Sequence, residues 1–274
     1  MSEKEIIPGA YVLISYEART RDNKIAESTK RTIKKNEETE EKDFPIVIKI
    51  GDKEVFFEEE LIGLKDGEEK EIILPPEKAY GERDPKKITR IAIKRLRAML
   101  GGRTPSVGDI LYSEEGGYFG KVVYIGSRDA LIDRNHPFAG EEILVHVKIH
   151  KVVLPADPPN EKISIIARRH FKDYADKLKF SLVGNTLEIT VPSDTIMNLT
   201  GLDLLRSIYA PRKIAAEEFI RELNIDKVRY IEEFSILAPT ETTAPSIAPS
   251  VTPVEEESKG EALKDKESEK KEPS

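Results

Sequence analysis

The stretch PIVIKIGDKEVFFEEELIGL, residues 45–64, decides the fold because it places a strand directly before a short helix. β-forming side chains fill residues 44–50, which predicts the strand. A short helix is predicted over residues 57–63, where Gly63 ends it. Further strands are predicted, from β-forming or alternating apolar side chains, at residues 11–19, 69–74 and 143–153. We expect these strands to share one sheet.

Residues 82–133 have a character of their own. The spacing of the apolar residues from Ile88 to Met99 predicts a strand that runs into a short helix, and glycines then break the chain. Short strands with glycine-containing turns between them are predicted next, at residues 110–112, 118–125 and 130–132. This block therefore predicts a small β-rich subdomain. Residues 31–43 are highly charged and predict a solvated loop.

The C-terminal part is predicted to be a separate α+β domain. The closely spaced prolines of residues 154–160 favour an extended linker before it. The elements predicted after the linker are a strand at 162–167, a helix at 168–178, a hairpin at 180–191, helices at 199–209 and 213–223, and a strand at 228–236. Residues 238–274 have no aromatic side chain and predict a disordered tail.

The composition excludes several functional classes. The chain has 274 residues, 35% of them charged, and a formal net charge of −7, which argues against a nucleic-acid partner. Because there is no cysteine, disulfides, thiolate metal sites and cysteine nucleophiles are excluded. No apolar run approaches the ~20 residues of a membrane span, and the first residues lack a signal-peptide pattern. We therefore predict a cytoplasmic protein without a membrane partner.

The chain also lacks the common catalytic and metal-binding motifs. There is no GxSxG, no phosphate-binding loop, no GxGxxG and no HExxH. His146 and His150 fall on one face of a predicted strand, but zinc needs three or four ligands and the sequence supplies no further one. No metal site and no cofactor are therefore predicted.

Aromatic residues are concentrated near the N-terminus. The first eighty residues hold six of the chain's Tyr and Phe side chains, which lie on or beside strands of the predicted sheet: Tyr11, Tyr16, Phe44, Phe56, Phe57 and Tyr80. They predict either a hydrophobic core or an aromatic-walled groove for an apolar ligand. The composition alone leaves both interpretations open.

The order of the motifs resembles a known family. In sequence, Leu13-Ile-Ser-Tyr-Glu, Lys24-Ile-Ala-Glu-Ser, the stretch 45–64, Gly67-Glu-Glu-Lys and Pro76-Glu-Lys-Ala-Tyr-Gly-Glu resemble FKBP-type peptidyl-prolyl cis–trans isomerases. The later Asp133-Arg-Asn-His-Pro-Phe-Ala-Gly resembles the SlyD-like branch, in which the flap carries an inserted chaperone subdomain. The resemblance covers residues 6–153. An extra domain after it is similar to the long archaeal members, which fits a protein with high charge and no cysteine from a hot environment.

The resemblance implies an α+β fold, in which a half-open antiparallel sheet wraps on a short helix. It also implies an inserted β-rich flap subdomain and a separate C-terminal α+β domain. The implied domains are the isomerase domain at residues 1–84 and 133–154, the flap at 85–132, the C-terminal domain at 160–237 and the tail at 238–274.

The same resemblance assigns roles at a prolyl pocket. The implied catalytic residues are Tyr80, which would offer its hydroxyl to a peptide carbonyl, Tyr16, which would form a wall, and Glu27, where the family usually has Asp. The implied substrate-binding residues are Ile46, Val55, Phe56, Phe57 as the floor, and Val145. The family commonly has Phe at the position of Ala26, and two residues are missing between Phe56 and Phe57. We therefore expect a wider, less aromatic pocket.

Prolyl isomerisation fits a chain without catalytic motifs, because it needs no nucleophile, metal or cofactor. The expected partners are unfolded or partly folded polypeptides with X–Pro bonds, and the C-terminal domain could support self-association. The flap residues expected to hold such chains are Leu96, Met99, Leu100, Tyr118 and Phe119, although they could instead form the flap's own core. The alternative function is a peptide-binding chaperone with little or no catalysis.

Overall fold

A computed structural model of the chain describes residues 4–35, 38–113 and 115–234. Five strands form an antiparallel sheet in the order β2–β1–β11–β6, with β5 also paired to β1. Their bounds are Tyr11–Thr20 for β1, Ile25–Ser28 for β2, Ile46–Lys49 for β5, Glu69–Leu74 for β6 and Ile143–Val153 for β11. The strands predicted at 11–19, 44–50, 69–74 and 143–153 are confirmed. Burial alternates along β6 and most of β11, whereas β1 and β5 have buried residues on both faces of the sheet.

The segment after β5 covers that apolar face. A single 3-10 turn, Glu58–Leu61, stands where the sequence predicts a longer helix over residues 57–63. Phe57 and Leu61 are fully buried and pack in one core with Ile14 and Val147 of the sheet. Each such side chain stabilises the fold by about 1.5–3 kcal/mol, so this turn is firmly attached to the sheet.

The prediction of a solvated loop over residues 31–43 is wrong. Strands β3, Lys30–Lys35, and β4, Glu38–Asp43, form a separate antiparallel hairpin there. Its register places Lys30 opposite Asp43 and Thr32 opposite Glu41. The backbone ladder holds this hairpin, helped by Lys30 opposite Asp43 and opposed by Arg31 opposite Lys42. A scan for apolar alternation does not detect strands that bury so little apolar surface.

A second antiparallel sheet lies between β6 and β11 in the chain. Its order is β7–β10–β9–β8, and it carries one short helix, α1, Ile93–Met99. The strands span Ile88–Ala92 for β7, Ile110–Tyr112 for β8, Tyr118–Ile125 for β9 and Asp129–Asp133 for β10. This sheet has a core of its own, formed by Leu96, Leu111, Val122, Ala130 and Ile132. The predicted strand, helix and glycine-containing turns are confirmed.

The C-terminal part combines helices with a three-stranded sheet. Strand β13 pairs antiparallel with β12 and parallel with β14. The elements are α2 at Pro159–Phe171, β12 at Lys179–Val183, β13 at Thr186–Val191, α3 at Ser193–Met197, α4 at Gly201–Leu204, α5 at Arg212–Leu223 and β14 at Lys227–Glu232. A π-helical turn, Leu205–Tyr209, continues α4.

Helix α2 overturns two predictions. The sequence predicts a strand at 162–167 and an extended linker through residue 160, whereas Pro159 begins a helix that includes residues 162–167 and the last two residues of the predicted linker. Alternation of Ile163 and Ile165 is typical of a strand, but Ile166 and Phe171 complete a buried helical face. The helix predicted over 168–178 is only the end of α2 followed by the 3-10 segment Lys172–Lys177.

Helices α2 and α5 pack on the outer face of the five-stranded sheet. Tyr11, Val47 and Val153 of that sheet share a hydrophobic core with Ile166 and Phe219. The structure thus joins residues on both sides of the predicted boundary at 154–160, while the separate domain at 160–237 stays a prediction. The predicted tail, 238–274, lies outside the described residues. Across the described ranges, every helix is too short or too polar to cross a membrane.

Candidate active site

Glu27 joins two tyrosines that come from distant parts of the chain. Tyr16 lies on β1 and Glu27 on the neighbouring strand β2, while Tyr80 follows the 3-10 turn Pro76–Lys78 after β6. The Tyr16 hydroxyl donates to Oε2 of Glu27 at 3.0 Å. The Tyr80 hydroxyl donates to Oε1 at 2.8 Å. The structure therefore brings the three predicted catalytic residues together.

Both tyrosines are held in their neutral form. Burial, together with the neighbouring Glu27 carboxylate, raises the pKa of Tyr16 and of Tyr80 above the ordinary value of 10. A phenol with a raised pKa keeps its proton at neutral pH, so each hydroxyl stays a hydrogen-bond donor. The Tyr80 hydroxyl can donate only one hydrogen bond, and Glu27 accepts that bond in the free protein.

Aromatic rings form a continuous wall beside this carboxylate. The Phe57 ring lies 4.9 Å from Tyr16 and 5.3 Å from Phe56, centroid to centroid, and both pairs meet edge to face. Phe56 in turn lies 5.2 Å from Tyr80. These separations are those of favourable aromatic pairs. Phe57 is buried as the predicted floor, and Phe56 fills the space between it and Tyr80.

Two further rings extend the wall beyond Tyr80. The His136 imidazole stacks on the Tyr80 ring at 4.3 Å with an interplanar angle of 12°. Phe138 lies 5.6 Å from Tyr80. Burial lowers the pKa of His136, although Glu27 opposes this effect, so the stacked ring is neutral at pH 7. His136 and Phe138 thus add two rings to this site, while the expectation of a pocket less aromatic than is usual in the family stays a prediction.

Sequence reasoning did not assign His136 and Phe138 to the site. Both belong to the stretch Asp133-Arg-Asn-His-Pro-Phe-Ala-Gly, which was used only as a sign of family resemblance. The available signal was a pair of aromatic rings separated by one residue, Pro137. Their position against Tyr80 depends on a contact across more than fifty residues of chain, which local pattern cannot supply.

The remaining predicted substrate-binding residues differ in accessibility. Ile46 is half-buried and Val55 nearly buried, and both pack against the core of the sheet. Val145 has an exposed fraction of 0%, close to the 1% of Phe57, and its role as a substrate-binding residue stays a prediction. It lies on β11 opposite Ile72, inside that core. Apolar and polar residues alternate along β11, which predicts that Val145 points into the core. It does so, and neighbouring residues cover it.

A cavity of about 450 Å³ lies beside the aromatic wall and shares Phe56 and Phe57 with it, and Val55, another predicted substrate-binding residue, also lines the cavity. The rest of its lining comes from other segments: Pro8, Ile50, Gly51, Lys53, Glu58, Glu59, Glu60, Ile62, Leu74 and Lys78. The wall therefore has the tyrosine–Glu27 cluster on one part of its surface and an open cavity on another.

Polar contacts attach the second sheet to the first where the chain passes between them. Asn135 is buried, and its side chain accepts from the Asp84 backbone N–H at 2.9 Å and donates to the Asp84 carbonyl at 3.0 Å. Asp133, also buried, accepts from Asn135 and pairs with Arg83. Burial alone would raise the pKa of Asp133, but these donors hold it below its usual range.

The second sheet carries a groove of about 770 Å³ between α1 and strands β8 and β9. Met99 and Phe119, two of the predicted client-holding residues, line it together with Tyr112. Leu96 is wrong as a surface candidate, because it is fully buried in this sheet's core. Leu100 packs against that core, and Tyr118 is exposed. Some of the five predicted client-holding residues therefore belong to the core of this sheet, and others lie at its surface.

The chemistry available at the cluster is binding rather than bond breaking. Two neutral phenols and one exposed carboxylate stand beside an apolar aromatic surface, and a ligand that covers them would exclude water from a hydrogen bond to its own carbonyl. Within the described ranges, no group of three His, Asp or Glu side chains is placed to hold a metal ion. The arrangement suits an apolar ring with an adjacent carbonyl.

Comparisons with known proteins agree with the resemblance. A family model described as FKBP-type peptidyl-prolyl cis-trans isomerase matches residues 2–93, and one described as FKBP26_C-terminal matches residues 159–235. The crystal structure of the three FKBP domains of wheat FKBP73 matches 55% of this chain at 14% identity and a TM-score of 0.28, and 41% of that chain is covered. The short-type peptidyl-prolyl cis-trans isomerase of Methanocaldococcus jannaschii is 31% identical over 148 residues, which are 53% of this chain and 92% of that protein. At this identity over nearly the whole length of that protein, the chain belongs to the FKBP-type peptidyl-prolyl cis–trans isomerase family and is an enzyme of that family.

Proposed function

We propose that Tyr80, Tyr16 and Glu27, with the aromatic wall of Phe56, Phe57 and His136, form the site at which this isomerase twists X–Pro bonds of unfolded polypeptides. The observation that carries the proposal is the Tyr80 hydroxyl, which Glu27 holds at 2.8 Å beside rings able to bind proline. Proline offers an apolar ring and a neighbouring carbonyl, which match the two halves of this site.

To catalyse the reaction, the site must bind the twisted prolyl amide more tightly than its planar forms. Amide resonance gives the planar bond a rotational barrier of about 18–20 kcal/mol. A surface that binds the twisted amide better than either planar form lowers that barrier without a covalent step. The aromatic wall holds the proline ring. The Tyr80 hydroxyl donates to a carbonyl of the peptide and so fixes the chain outside that ring. About 4 kcal/mol of such preference accelerates the reaction a thousandfold.

Glu27 acts as the resting acceptor for Tyr80. Because a phenol has a single proton, a substrate carbonyl must replace Oε1 of Glu27 as its acceptor. Tyr16 remains bonded to Oε2 and keeps the carboxylate in place. His136, stacked on Tyr80, limits the ring to one orientation. The hydroxyl is thus positioned before substrate arrives, which reduces the entropy lost on binding.

Replacing Tyr80 with Phe should lower kcat/KM for a short X–Pro peptide about tenfold, equivalent to about 1.4 kcal/mol, because one buried hydrogen bond to the substrate is lost. The ring stack with His136 survives in this variant. Tyr124→Phe, at an exposed tyrosine of β9, is the matched control and should retain the full rate. Because burial raises the pKa of Tyr80, the wild-type rate should not fall as pH rises from 7 toward 10.

The measurement is isomerisation of the short peptide, followed by refolding of a protein whose slow phase is set by an X–Pro bond. Equal rates for Tyr80→Phe and wild type would contradict the assignment of the hydroxyl. A wild-type chain that suppresses aggregation but accelerates neither reaction would instead support the alternative, a peptide-binding chaperone.

We further propose that the second sheet, residues 85–132, is a SlyD-like flap that holds unfolded chains near this site. Support comes from its own core, its attachment through Asn135, and the groove at Met99 and Phe119. Methionine and aromatic side chains suit surfaces that accept many sequences. A chain held there would raise the local concentration of its prolyl bonds at Tyr80.

We also propose that the C-terminal part supports self-association. Met197 of α3, Leu202 of α4 and Leu205 of the following π-helical turn are large apolar residues exposed close together in sequence. Such exposed apolar residues favour protein–protein contact. Sedimentation should show a dimer for the wild-type chain and a monomer for the double variant Leu202→Glu, Leu205→Glu. Ile214→Glu, at an exposed position of α5, is the control and should remain dimeric.

A further inference from the structure

The 450 Å³ cavity beside the aromatic wall has no part in the proposed catalytic step. Its floor is apolar, with Pro8, Ile50, Ile62 and Leu74 around Val55, Phe56 and Phe57. Charged side chains of both signs stand at its rim, among them Lys53 and Lys78. A concave apolar floor with a polar rim is the usual form of a ligand site.

The cavity is preformed by the turn between β5 and Phe57. The backbone N–H of Gly51 donates to Oε1 of Glu58 at 2.7 Å, which ties the start of the turn to its end. Gly51 has a φ of +112°, a backbone conformation that other residues rarely adopt. The turn therefore keeps Val55 and Phe56 in one place without help from a ligand.

Glu58 supplies a second, independent sign of a missing partner. Its side chain lines the cavity and has an exposed fraction of 7%. Its second carboxylate oxygen, Oε2, is buried without a hydrogen-bond partner among the described residues. A buried carboxylate oxygen is normally hydrogen-bonded, so this position is suited to an incoming N–H donor.

We propose that this cavity is a second peptide subsite, which takes a bulky apolar side chain of the same polypeptide whose X–Pro bond lies at Tyr80. The proposal rests on the proposed function. The occupant follows from continuity, because Val55, Phe56 and Phe57 belong both to the cavity and to the surface that would hold proline. A backbone N–H of that segment would reach Glu58, which accepts through Oε2.

The subsite makes the enzyme selective for unfolded polypeptides over isolated X–Pro units. An apolar side chain bound there contributes equally before and during the twist of the prolyl bond. Such uniform binding lowers KM and leaves kcat unchanged. The substrates favoured by the subsite are therefore segments with a large aliphatic or aromatic residue a few positions from proline, as found in chains whose core residues are exposed.

The test compares peptides about twelve residues long that carry Leu or Gly at successive positions on either side of one proline. For at least one position the Leu peptide should show a KM about tenfold lower than the Gly peptide, at equal kcat. Ile62→Glu, at a side chain 49% exposed in the cavity, should abolish this difference, and Ile62→Ala should reduce it. Neither variant should change the kinetics of a tetrapeptide.

Ile73→Glu is the matched control, because Ile73 is 65% exposed and lies on β6 opposite Leu144. It should keep the wild-type preference for Leu. Persistence of that preference in a folded Ile62→Glu variant, or equal KM values for all wild-type substrates, would overturn the subsite. Failure of the wild-type chain to accelerate the tetrapeptide would instead overturn the proposed active site, so the two failures are distinguishable.

Discussion

Replacing Glu218 with Gln should lower the free energy of unfolding by about 3 kcal/mol at pH 7, because this buried carboxylate is the centre of an ionic network. The Tyr11 hydroxyl donates to its Oε1 at 2.6 Å, and Nε2 of His170 lies 2.5 Å from its Oε2. Arg169 lies 3.6 Å away. The network connects helices α2 and α5 with the outer face of β1.

The same carboxylate makes stability depend on pH in a defined direction. Burial alone would raise the pKa of Glu218, but hydrogen bonds from His170 and Tyr11 and the charge of Arg169 lower it from 4.5 to about 2. A depressed pKa stabilises the fold at pH values above the unfolded pKa. That contribution is present above pH 4.5 and is lost as pH falls from 4.5 toward 2.

Denaturant unfolding of wild type and Glu218→Gln at pH 7, 4.5 and 3 measures both effects. The difference between the two proteins should be largest at pH 7 and shrink at the lower values. Glu217→Gln is the control, since Glu217 is on the same helix but exposed, 3.9 Å from Lys213. It should change stability by less than about 0.5 kcal/mol. A pH-independent difference would show that Glu218 acts through packing rather than charge.

The sheet could be predicted from the sequence because the alternation of apolar and polar residues involves only neighbouring residues. Alternation along β6 and β11 is decided by neighbouring residues, so the predicted bounds agree with Glu69–Leu74 and Ile143–Val153. The 3-10 turn at Glu58–Leu61 is shorter than the helix predicted from the same residues. A short amphipathic segment has little helical stability of its own, and packing of Phe57 and Leu61 sets its length.

Distant contacts explain the wrong assignments. Residues 162–167 of α2 predict a strand, in which Ile163 and Ile165 alternate, and only burial against Tyr11 and Val47 favours the helix. Glu218 reads as part of a solvated helix face beside Glu217, since its partners Tyr11 and His170 are far away in sequence. Burial of a charge depends on tertiary partners, which a periodic pattern does not record.

Some active-site residues could be predicted from the sequence, and others could be identified only from the structure. Family resemblance placed Tyr16, Glu27 and Tyr80 in one site, and the structure joins them by two hydrogen bonds. The sequence shows Glu where Asp is usual, but it does not show that this carboxylate accepts from both hydroxyls. His136 could be identified only once its ring was seen on Tyr80.

Removing residues 85–132 should leave catalysis on a tetrapeptide within about twofold of wild type but slow catalysed refolding of a protein about tenfold or more. The catalytic cluster stays in the shortened chain. Asn135 bonds both backbone groups of Asp84, so the two cut ends already lie close together and a short turn can join them. The effect is large because a tethered client reaches Tyr80 without diffusing from bulk solution.

A point substitution separates loss of the groove from loss of the whole flap. Tyr112→Glu places a charge at a side chain 60% exposed in the groove, whereas Tyr124→Glu does the same at a β9 tyrosine 57% exposed elsewhere on that sheet. Aggregation suppression and refolding catalysis should both fall in Tyr112→Glu and persist in Tyr124→Glu, with tetrapeptide kinetics unchanged in both. Equal losses would mean that the sheet binds clients through its overall surface rather than its groove. If the variant that lacks residues 85–132 catalyses refolding as fast as wild type, clients bind outside the flap. The cavity at Ile62 would then be the site to test.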